Sequence, residues 1–321
     1  MDYRLLGRAG VKVSPLCLGS MNFGAAADEA QSTRVIHAAL DAGINFIDTA
    51  DIYSKGRSEE VIGKALAGKR DGVVLATKAW GRMGTGPNDA GTSRLHIMQA
   101  VEASLKRLQT DHIDLYQLHR PDTETPMDEK LSALTDLVRQ GKVRYIGTSN
   151  YPAWQLCESL WVSDVNRFER FVSEQPQYSI LSRAVENEVL DFCRQHGFAV
   201  IPWSPLAGGR LTGKYRKDRP APADSRGGRK NWDFDAPEAQ RRLDAVEKLI
   251  PLAEDLGISL AQFALAWLLA NPAVTAPIIG PRTVEQLEEN LGVLDVTLPE
   301  DILSKVDEIV PPGAELIVQT W

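Results

Sequence analysis

The sequence predicts an α/β protein built as a (β/α)8 TIM barrel, and three observations support this class. Short apolar runs alternate with helical patterns, which is typical of parallel strands joined by right-handed crossovers. Eight strand and helix repeats can be counted along the chain, and eight repeats close a barrel. No G-x-G-x-x-G follows the first of these strands, which disfavours the alternative, an open doubly wound dinucleotide-binding sheet.

The predicted strands are short and apolar. A β-hairpin at the amino terminus is expected from residues 3–5 and 11–13, joined by a glycine-containing turn. The eight barrel strands that follow are predicted at residues 16–18, 45–47, 73–77, 113–118, 144–148, 171–173, 199–202 and 276–279.

The helices are predicted between these strands, with glycines 43, 141, 197 and 257 placed as carboxyl-terminal caps. Ser58 before Glu59 and Glu60 indicates a capped helix start. An extra helix at residues 299–310 follows the eighth repeat, and the arginine-, proline- and glycine-rich connection 206–236 is expected to be a mobile surface loop within one domain, 1–321. The repeat helices are predicted at residues 29–42, 58–67, 93–108, 127–140, 153–165, 185–196, 236–256 with 260–269, and 283–291.

Composition excludes several classes of function. A net charge of -7 and a pI near 5.4 argue against nucleic-acid binding. The longest apolar run, residues 260–270, is far shorter than the ~20 residues of a membrane helix, and no targeting segment is recognised. Three cysteines and five histidines without ligand spacing predict a reducing, cytoplasmic location and no metal site. The oligomeric state stays open.

Polar residues stand just past the predicted strands, where a barrel collects its chemistry in one shared mouth. Asp48 and Tyr53 follow the second strand, Lys78 the third and His119 the fourth. The other strands end in Ser20 and Met21, Ser149 and Asn150, Gln175, Trp203 and Ser204, and Gly280.

Asp48, Tyr53, Lys78 and His119 together suggest a proton-donating site. The Lys78 ammonium would lower the pKa of the Tyr53 phenol, and Asp48 would keep that lysine charged. A neutral His119 could donate a hydrogen bond to a carbonyl oxygen. Since no side chain can give a hydride, a nicotinamide cofactor is the expected complement. A Schiff-base aldolase with Lys78 as nucleophile is the alternative, and it is disfavoured because Asp48 would keep the lysine protonated.

Five segments carry a family resemblance: GINFIDTADIYSKGRSEEVIG, VLATKAW, VEASLKRLQTDHIDLYQLHRPD, GTSN and IIGPRTVEQLEENL. Through them, and over nearly its whole length, the chain resembles the aldo-keto reductase superfamily. The phrase LHRPD is similar to bacterial members and to the potassium-channel β subunits.

The resemblance implies a barrel plugged by the hairpin and NADPH-dependent reduction of an aldehyde or ketone, a small-molecule carbonyl substrate, to an alcohol. Tyr53 would be the proton donor, tuned by Lys78 and Asp48, while His119 would position the carbonyl. Because the channel-associated relatives keep these residues, an NADP(H)-binding, redox-sensing regulatory subunit with little turnover is the second hypothesis.

The resemblance also assigns the cofactor contacts. Ser149, Asn150 and Gln175 would bind the carboxamide, and Trp203 would stack on the nicotinamide ring. Arg282, without a second basic residue beside it, would meet the 2'-phosphate and favour NADPH over NADH. The remaining expected cofactor contacts are Met21, Asp48, Ser204, Leu206, Gly208, Lys214 with Arg210 as a second charge, Gly280, Gln286, Glu289 and Asn290. The expected substrate contacts are Met21, Phe23, Trp80, Tyr151, Trp232 and Phe234.

Overall fold

A computed structural model of the chain describes residues 1–217 and 219–317. A two-stranded antiparallel hairpin comes first, with β1 at Arg4–Leu5 and β2 at Lys12–Val13. Eight parallel strands then form one sheet. They are β3 (Cys17–Gly19), β4 (Phe46–Asp48), β5 (Val74–Ala79), β6 (Ile113–Leu118), β7 (Val143–Ser149), β8 (Ser173–Gln175), β9 (Ala199–Val200) and β10 (Ile278–Ile279).

The sheet closes on itself into a barrel. Strands β3 to β9 pair with their neighbours in chain order, and β10 pairs with β3. The other edge of β10 and the residues before it meet β9 and the residues after it. The Thr275 amide donates to the Val200 carbonyl at 2.8 Å, and the Ile278 amide donates to the Pro202 carbonyl at 2.8 Å. The predicted (β/α)8 class is therefore confirmed.

The hairpin fills the amino-terminal end of the barrel. Leu6 and Val13 have no exposed surface and pack with inward-facing strand residues such as Phe46, Ala76 and Leu115. Alternate strand residues point inward, so the next inward positions, Asp48, Lys78 and Gln117, lie one layer nearer the carboxyl ends. This alternation places apolar packing at one end of the barrel and polar side chains at the other.

Helices surround the barrel and bury an apolar face against it. The first of them begins after Asp28, whose side chain accepts a hydrogen bond from the Gln31 amide, a standard amino-terminal cap. The helices are α1 (Glu29–Asp41), α2 (Arg57–Ala65), α3 (Arg94–Leu108), α4 (Met127–Arg139), α5 (Ala153–Asn166), α6 (Val189–His196), α7 (Arg226–Arg229), α8 (Pro237–Asp255), α9 (Leu260–Ala270), α10 (Val284–Leu291) and α11 (Glu300–Ile309).

One local expectation is wrong. Helix α2 begins at Arg57 after Gly56 in a left-handed conformation, and Ser58 is not its cap. The Ser58 hydroxyl is buried instead and donates to the Ser20 carbonyl at 3.0 Å. The connection 206–236 contains a 3-10 segment, Ala207–Thr212, and helix α7.

An aromatic cluster anchors this connection. Tyr215 is 1% exposed, and its ring centroid lies 5.8 Å from that of Trp232 and 5.2 Å from that of Phe234.

In the described residues, no single helix has the length and apolarity to cross a membrane; only α8 and α9 taken together do, and they are bent by 89°.

Candidate active site

A cleft of about 740 Å³ opens at the carboxyl ends of the strands. Asp48, Tyr53 and His119 line its inner end, and the residues after β10 and on α10 line its outer end. Polar side chains, several aromatic rings and several cations line it.

The Asp48 and Lys78 side chains form an ion pair inside the barrel. Lys78 Nζ lies 2.5 Å from Asp48 Oδ1 and 2.6 Å from the Thr49 carbonyl oxygen, and neither residue is more than 2% exposed. Strand pairing explains the encounter, because Asp48 stands beside Ala76 on the neighbouring strand and Lys78 is the next inward residue of that strand.

The second oxygen of Asp48 has two amide partners. Gln117 Nε2 donates to Oδ2 at 3.0 Å and Gln175 Nε2 donates to it at 2.9 Å. Gly147 leaves the room for this arrangement, since a Cβ atom there would lie 2.3 Å from Ser173 Oγ and 3.2 Å from Gln117 Cγ. Gln117 was not predicted as a site residue. It lies near the end of β6, two residues before His119, and this position on an inward-facing strand residue could have indicated it.

The Tyr53 side chain lies between Lys78 and His119. Lys78 Nζ is 5.2 Å from the Tyr53 ring centroid, and the His119 ring meets the tyrosine edge-on at 5.8 Å between centroids. The turn after Tyr53 is unusual, since Ser54 and Lys55 have φ values of 50° and 55°. These left-handed residues turn the chain sharply from β4 into α2.

Burial and charge shift the pKa values of these groups in different directions. Burial lowers the pKa of His119 well below its usual value, and the Lys78 and Arg120 charges add to the effect, so the imidazole is neutral at pH 7. Burial also acts to lower the pKa of Lys78, but Asp48 and then Tyr53 raise this pKa by more than burial lowers it. The net pKa of Lys78 therefore lies above its usual value. A protonated lysine is a poor nucleophile, which argues against the Schiff-base alternative.

The pKa of Tyr53 lies above its usual value, whereas the sequence predicted that Lys78 would lower it. Burial raises the pKa of the phenol, and the Lys78 charge offsets only part of that increase. The tyrosine therefore keeps its proton at neutral pH. Lys78 makes the phenol more acidic than burial alone would leave it, without bringing the pKa below its ordinary value.

Asn150, Trp203 and Ser149 stand next along the cleft. The Trp203 indole donates to Asn150 Oδ1 at 3.0 Å, and Asn150 Nδ2 donates to Ser149 Oγ at 2.8 Å. These bonds fix the orientation of the Asn150 amide. Ser204, Leu206 and Gly280, which the sequence also singles out, line the same cleft, as do Met21 and Gln175.

Cations gather farther out. Lys214 and Arg282 line the cleft as expected, and Arg226 and Arg229 join them from helix α7. Burial lowers the pKa of Arg226, and Arg229 and Arg282 lie close enough to contribute to that shift. The expectation that Arg282 has no basic neighbour is therefore wrong. Sequence reasoning missed Arg226 and Arg229 because they stand in the connection interpreted as a mobile loop.

Glycines and the start of helix α10 complete the outer end. Gly208 and Gly209 have φ values of 69° and 95°, so the backbone turns there without a side chain on the cleft wall. Gln286 Oε1 accepts a hydrogen bond from the Arg282 amide at 2.8 Å. Glu289 and Asn290 line the wall on the same helix.

Two expected substrate contacts are not supported. Phe23 is 0% exposed and Tyr151 is 2% exposed, both pack in the core, and neither lines the cleft. Trp80 and Met21 do line it, and so does Arg120, which sequence reasoning passed over. Trp232 and Phe234 line a separate hollow together with Arg210, which was considered for the pyrophosphate.

The barrel, the buried Lys78–Asp48 pair and the tyrosine and histidine at the mouth define the class: a barrel protein with a cleft lined by ionisable side chains at the carboxyl ends of its strands. The sequence profile of the aldo/keto reductase family matches residues 15–311. The chain belongs to the aldo/keto reductase family, and it is an oxidoreductase.

Similar proteins span almost the whole chain. An uncharacterized oxidoreductase, YrpG of Bacillus subtilis strain 168, is 46% identical over 98% of this chain and 98% of its own length. A probable voltage-gated potassium channel subunit beta from Oryza sativa subsp. japonica is 41% identical over 97% of each chain. A versiconal hemiacetal acetate reductase from Aspergillus parasiticus is 36% identical, covering 97% of this chain and 98% of its own.

Proposed function

We propose that this chain reduces an aldehyde or ketone to an alcohol with NADPH as the hydride donor. The observation that carries the proposal is the group of Tyr53, Lys78, Asp48 and His119 at the inner end of the cleft. It offers a protonated phenol and a neutral imidazole to the same space, with a buried ammonium behind the phenol. A carbonyl oxygen that gains charge as it is reduced is stabilised by such donors.

Each side chain has a distinct role in this reaction. The neutral His119 ring donates a hydrogen bond that orients and polarises the carbonyl. Tyr53 then gives its phenolic proton to the oxygen, and the Lys78 ammonium stabilises the phenolate that remains. Asp48 holds Lys78 in place, and Gln117 and Gln175 hold Asp48 in turn.

The residues along the cleft fit a nicotinamide dinucleotide phosphate. Ser149, Asn150 and Gln175 offer amide and hydroxyl groups to a carboxamide, and Trp203 offers a flat ring for stacking. Arg226, Arg229, Arg282 and Lys214 supply charge for phosphates. When bound, the nicotinamide supplies the hydride to the carbonyl carbon. The arginine neighbours of Arg282 support a preference for NADPH over NADH.

The proposal is tested by mixing the purified protein with a panel of aldehydes and ketones and following NADPH or NADH absorbance. We expect oxidation of NADPH, with slower oxidation of NADH. Tyr53→Phe should lower kcat by at least about 100-fold, while NADPH fluorescence titrations give an unchanged dissociation constant.

Tyr116→Phe is the matched control, because Tyr116 is a fully buried tyrosine of β6 whose hydroxyl does not reach the cleft. Its kcat should match that of the unmodified protein. Absence of turnover with every carbonyl tested, or equal activity of Tyr53→Phe and Tyr116→Phe, would exclude the proposed reaction.

A second candidate rests on the channel-subunit relatives, which are 41% and 38% identical to this chain. In that case the chain would hold NADP(H) and report its redox state to a protein partner. Tight retention of NADP(H) through purification, together with negligible turnover, would favour this candidate over the reductase.

A further inference from the structure

We propose that a second ligand site, for a small organic carboxylate, lies outside the cleft between the connection 206–236 and helix α8. A hollow of about 190 Å³ is found there, lined by Arg210, Trp232 and Phe234 of the connection and by Arg242, Leu243 and Val246 of α8. Neither Arg210 nor Arg242 lines the cleft. The proposal is therefore independent of the proposed reductase function.

Both guanidinium groups are held in place by uncharged partners. Arg210 Cζ lies 3.7 Å from the Trp232 ring centroid, and Arg210 Nη1 donates to the Ala207 carbonyl at 3.1 Å. Arg242 Nε donates to the Leu316 carbonyl at 2.5 Å. These contacts position the two side chains but leave their charges unneutralised.

No acidic side chain pairs with either arginine within residues 1–217 and 219–317. Asp233 borders the hollow, but its Oδ1 accepts hydrogen bonds from the Asp235 amide at 2.9 Å and the Ala236 amide at 3.2 Å. Burial, and next the Arg242 charge, lower the pKa of Arg210 to about 10, so it is still charged at neutral pH. Arg210 and Arg242 thus bring two positive charges to a hollow that contains one carboxylate, and an anion placed between the two guanidinium groups would be attracted to both.

The chemistry of the walls defines the ligand. Guanidinium groups bind a carboxylate or a phosphate through paired hydrogen bonds. Phe234, Leu243 and Val246 make much of the remaining lining apolar, and a bare inorganic anion would leave that part of the hollow poorly filled. The hollow is equivalent to about six water molecules at ~30 Å³ each, which suits a compact carboxylate with an apolar body.

A bound carboxylate would bridge the connection 206–236, part of which lines the cleft, and helix α8, which packs beside it. Arg210 follows directly after Gly208 and Gly209, which line the cleft, whereas Arg242 belongs to α8. The ligand would therefore fasten the connection 206–236 to α8. Ligand binding at this site is expected to raise the melting temperature of the protein.

The test uses benzoate as the probe and the full chain at constant ionic strength set with chloride. Benzoate should raise Tm in a saturable way and give a binding isotherm by calorimetry. Benzamide, which has the same ring without the charge, should have no effect, and inorganic phosphate should bind more weakly than benzoate because it lacks the apolar body.

Arg242→Gln and Arg241→Gln are the matched variants. Arg241 precedes Arg242 on α8, but its side chain is 68% exposed and points to Glu238. Arg242→Gln should weaken benzoate binding about tenfold or more, the value of one or two lost charged hydrogen bonds, and Arg241→Gln should leave it unchanged. Arg210→Gln should repeat the loss, which covers the case in which Arg242→Gln fails to fold.

Several results would overturn the site: no saturable effect of benzoate, equal benzoate affinity in the Arg242→Gln and Arg241→Gln proteins, or equal binding of benzamide. Phosphate binding as tight as that of benzoate would overturn the assignment to an organic carboxylate.

Discussion

Two aspartates, three residues apart in the sequence, show how differently the inside and the outside of the barrel treat a buried charge. Asp48 points into the barrel and meets an ammonium and two amide donors. Asp51 is 0% exposed and lies behind the strands, toward α2 and α3, and neither of its oxygens meets a side-chain hydrogen-bond donor in the described part of the chain.

The surroundings of Asp51 explain its titration. Burial and then the Glu59 charge raise the pKa of Asp51 to about 7, while the Ile52 backbone amide and the Arg107 and Lys78 charges oppose the shift. Arg107 is engaged elsewhere, since its Nε donates to Glu59 Oε2 at 2.6 Å. Burial without a dedicated cation therefore lets the Asp51 carboxyl hold a proton near neutral pH, whereas the Asp48 carboxylate is paired directly with the Lys78 ammonium.

The largest expected effect comes from breaking the buried ion pair between Lys78 and Asp48. In Asp48→Asn the fully buried Lys78 ammonium loses its counter-charge, and the remaining contact with the Thr49 carbonyl cannot replace it. We expect the free energy of unfolding to fall by about 3–5 kcal/mol, measured by urea denaturation at pH 7. A loss below about 1 kcal/mol would show that the pair contributes little to stability.

Asp51→Asn should have the opposite effect. Unfolded aspartate titrates near pH 4 and folded Asp51 near pH 7, so between these values the folded protein binds more protons than the unfolded one. The free energy of unfolding contributed by Asp51 therefore falls as pH rises through this window and is constant above it. Between pH 5 and pH 8 the asparagine variant should gain up to about 3 kcal/mol relative to the unmodified protein, the value of about two pKa units.

Denaturation of both proteins at pH 5, 6, 7 and 8 checks this expectation. Tyr116→Phe serves as a second variant near Asp51, because the Tyr116 hydroxyl has no hydrogen-bond partner among the described residues and contributes no charge in this pH range. Its difference from the unmodified protein should not change with pH. Parallel curves for Asp51→Asn and the unmodified protein would mean that Asp51 does not titrate in this window.

The fold could be predicted because its signals are local and repeated. Alternating strand and helix patterns identified all eight barrel strands within about two residues, and the hairpin followed from its glycine turn. The inner site was also within reach, since Asp48, Tyr53, Lys78 and His119 each stand at or just beyond a strand end. Parallel strands bring such positions together whatever the details of packing.

The remaining features depend on three-dimensional packing that local patterns do not contain. Arg226 and Arg229 reach the cleft because Tyr215, Trp232 and Phe234 anchor a connection that composition alone suggests is mobile. Phe23 and Tyr151 turn into the core although they follow strand ends. The contrast between Asp48 and Asp51 depends on which face of the barrel each side chain meets, and the sequence positions of two neighbouring aspartates do not reveal that.

The smallest effect comes from removing one of the two amide donors that bind Asp48. Gln117→Met keeps the volume of the side chain but removes the amide that donates to Asp48 Oδ2 at 3.0 Å, while Gln175 still donates to the same oxygen at 2.9 Å. We expect a loss of about 1.5 kcal/mol in the free energy of unfolding, the lower end for a hydrogen bond to a charged group, measured by urea denaturation. A loss as large as that of Asp48→Asn would mean that the amides, rather than Lys78, are the main stabilisers of the buried carboxylate. Combining Gln117→Met with Asp48→Asn separates the two possibilities, because a donor that acts only through Asp48 should add little once that carboxylate is gone.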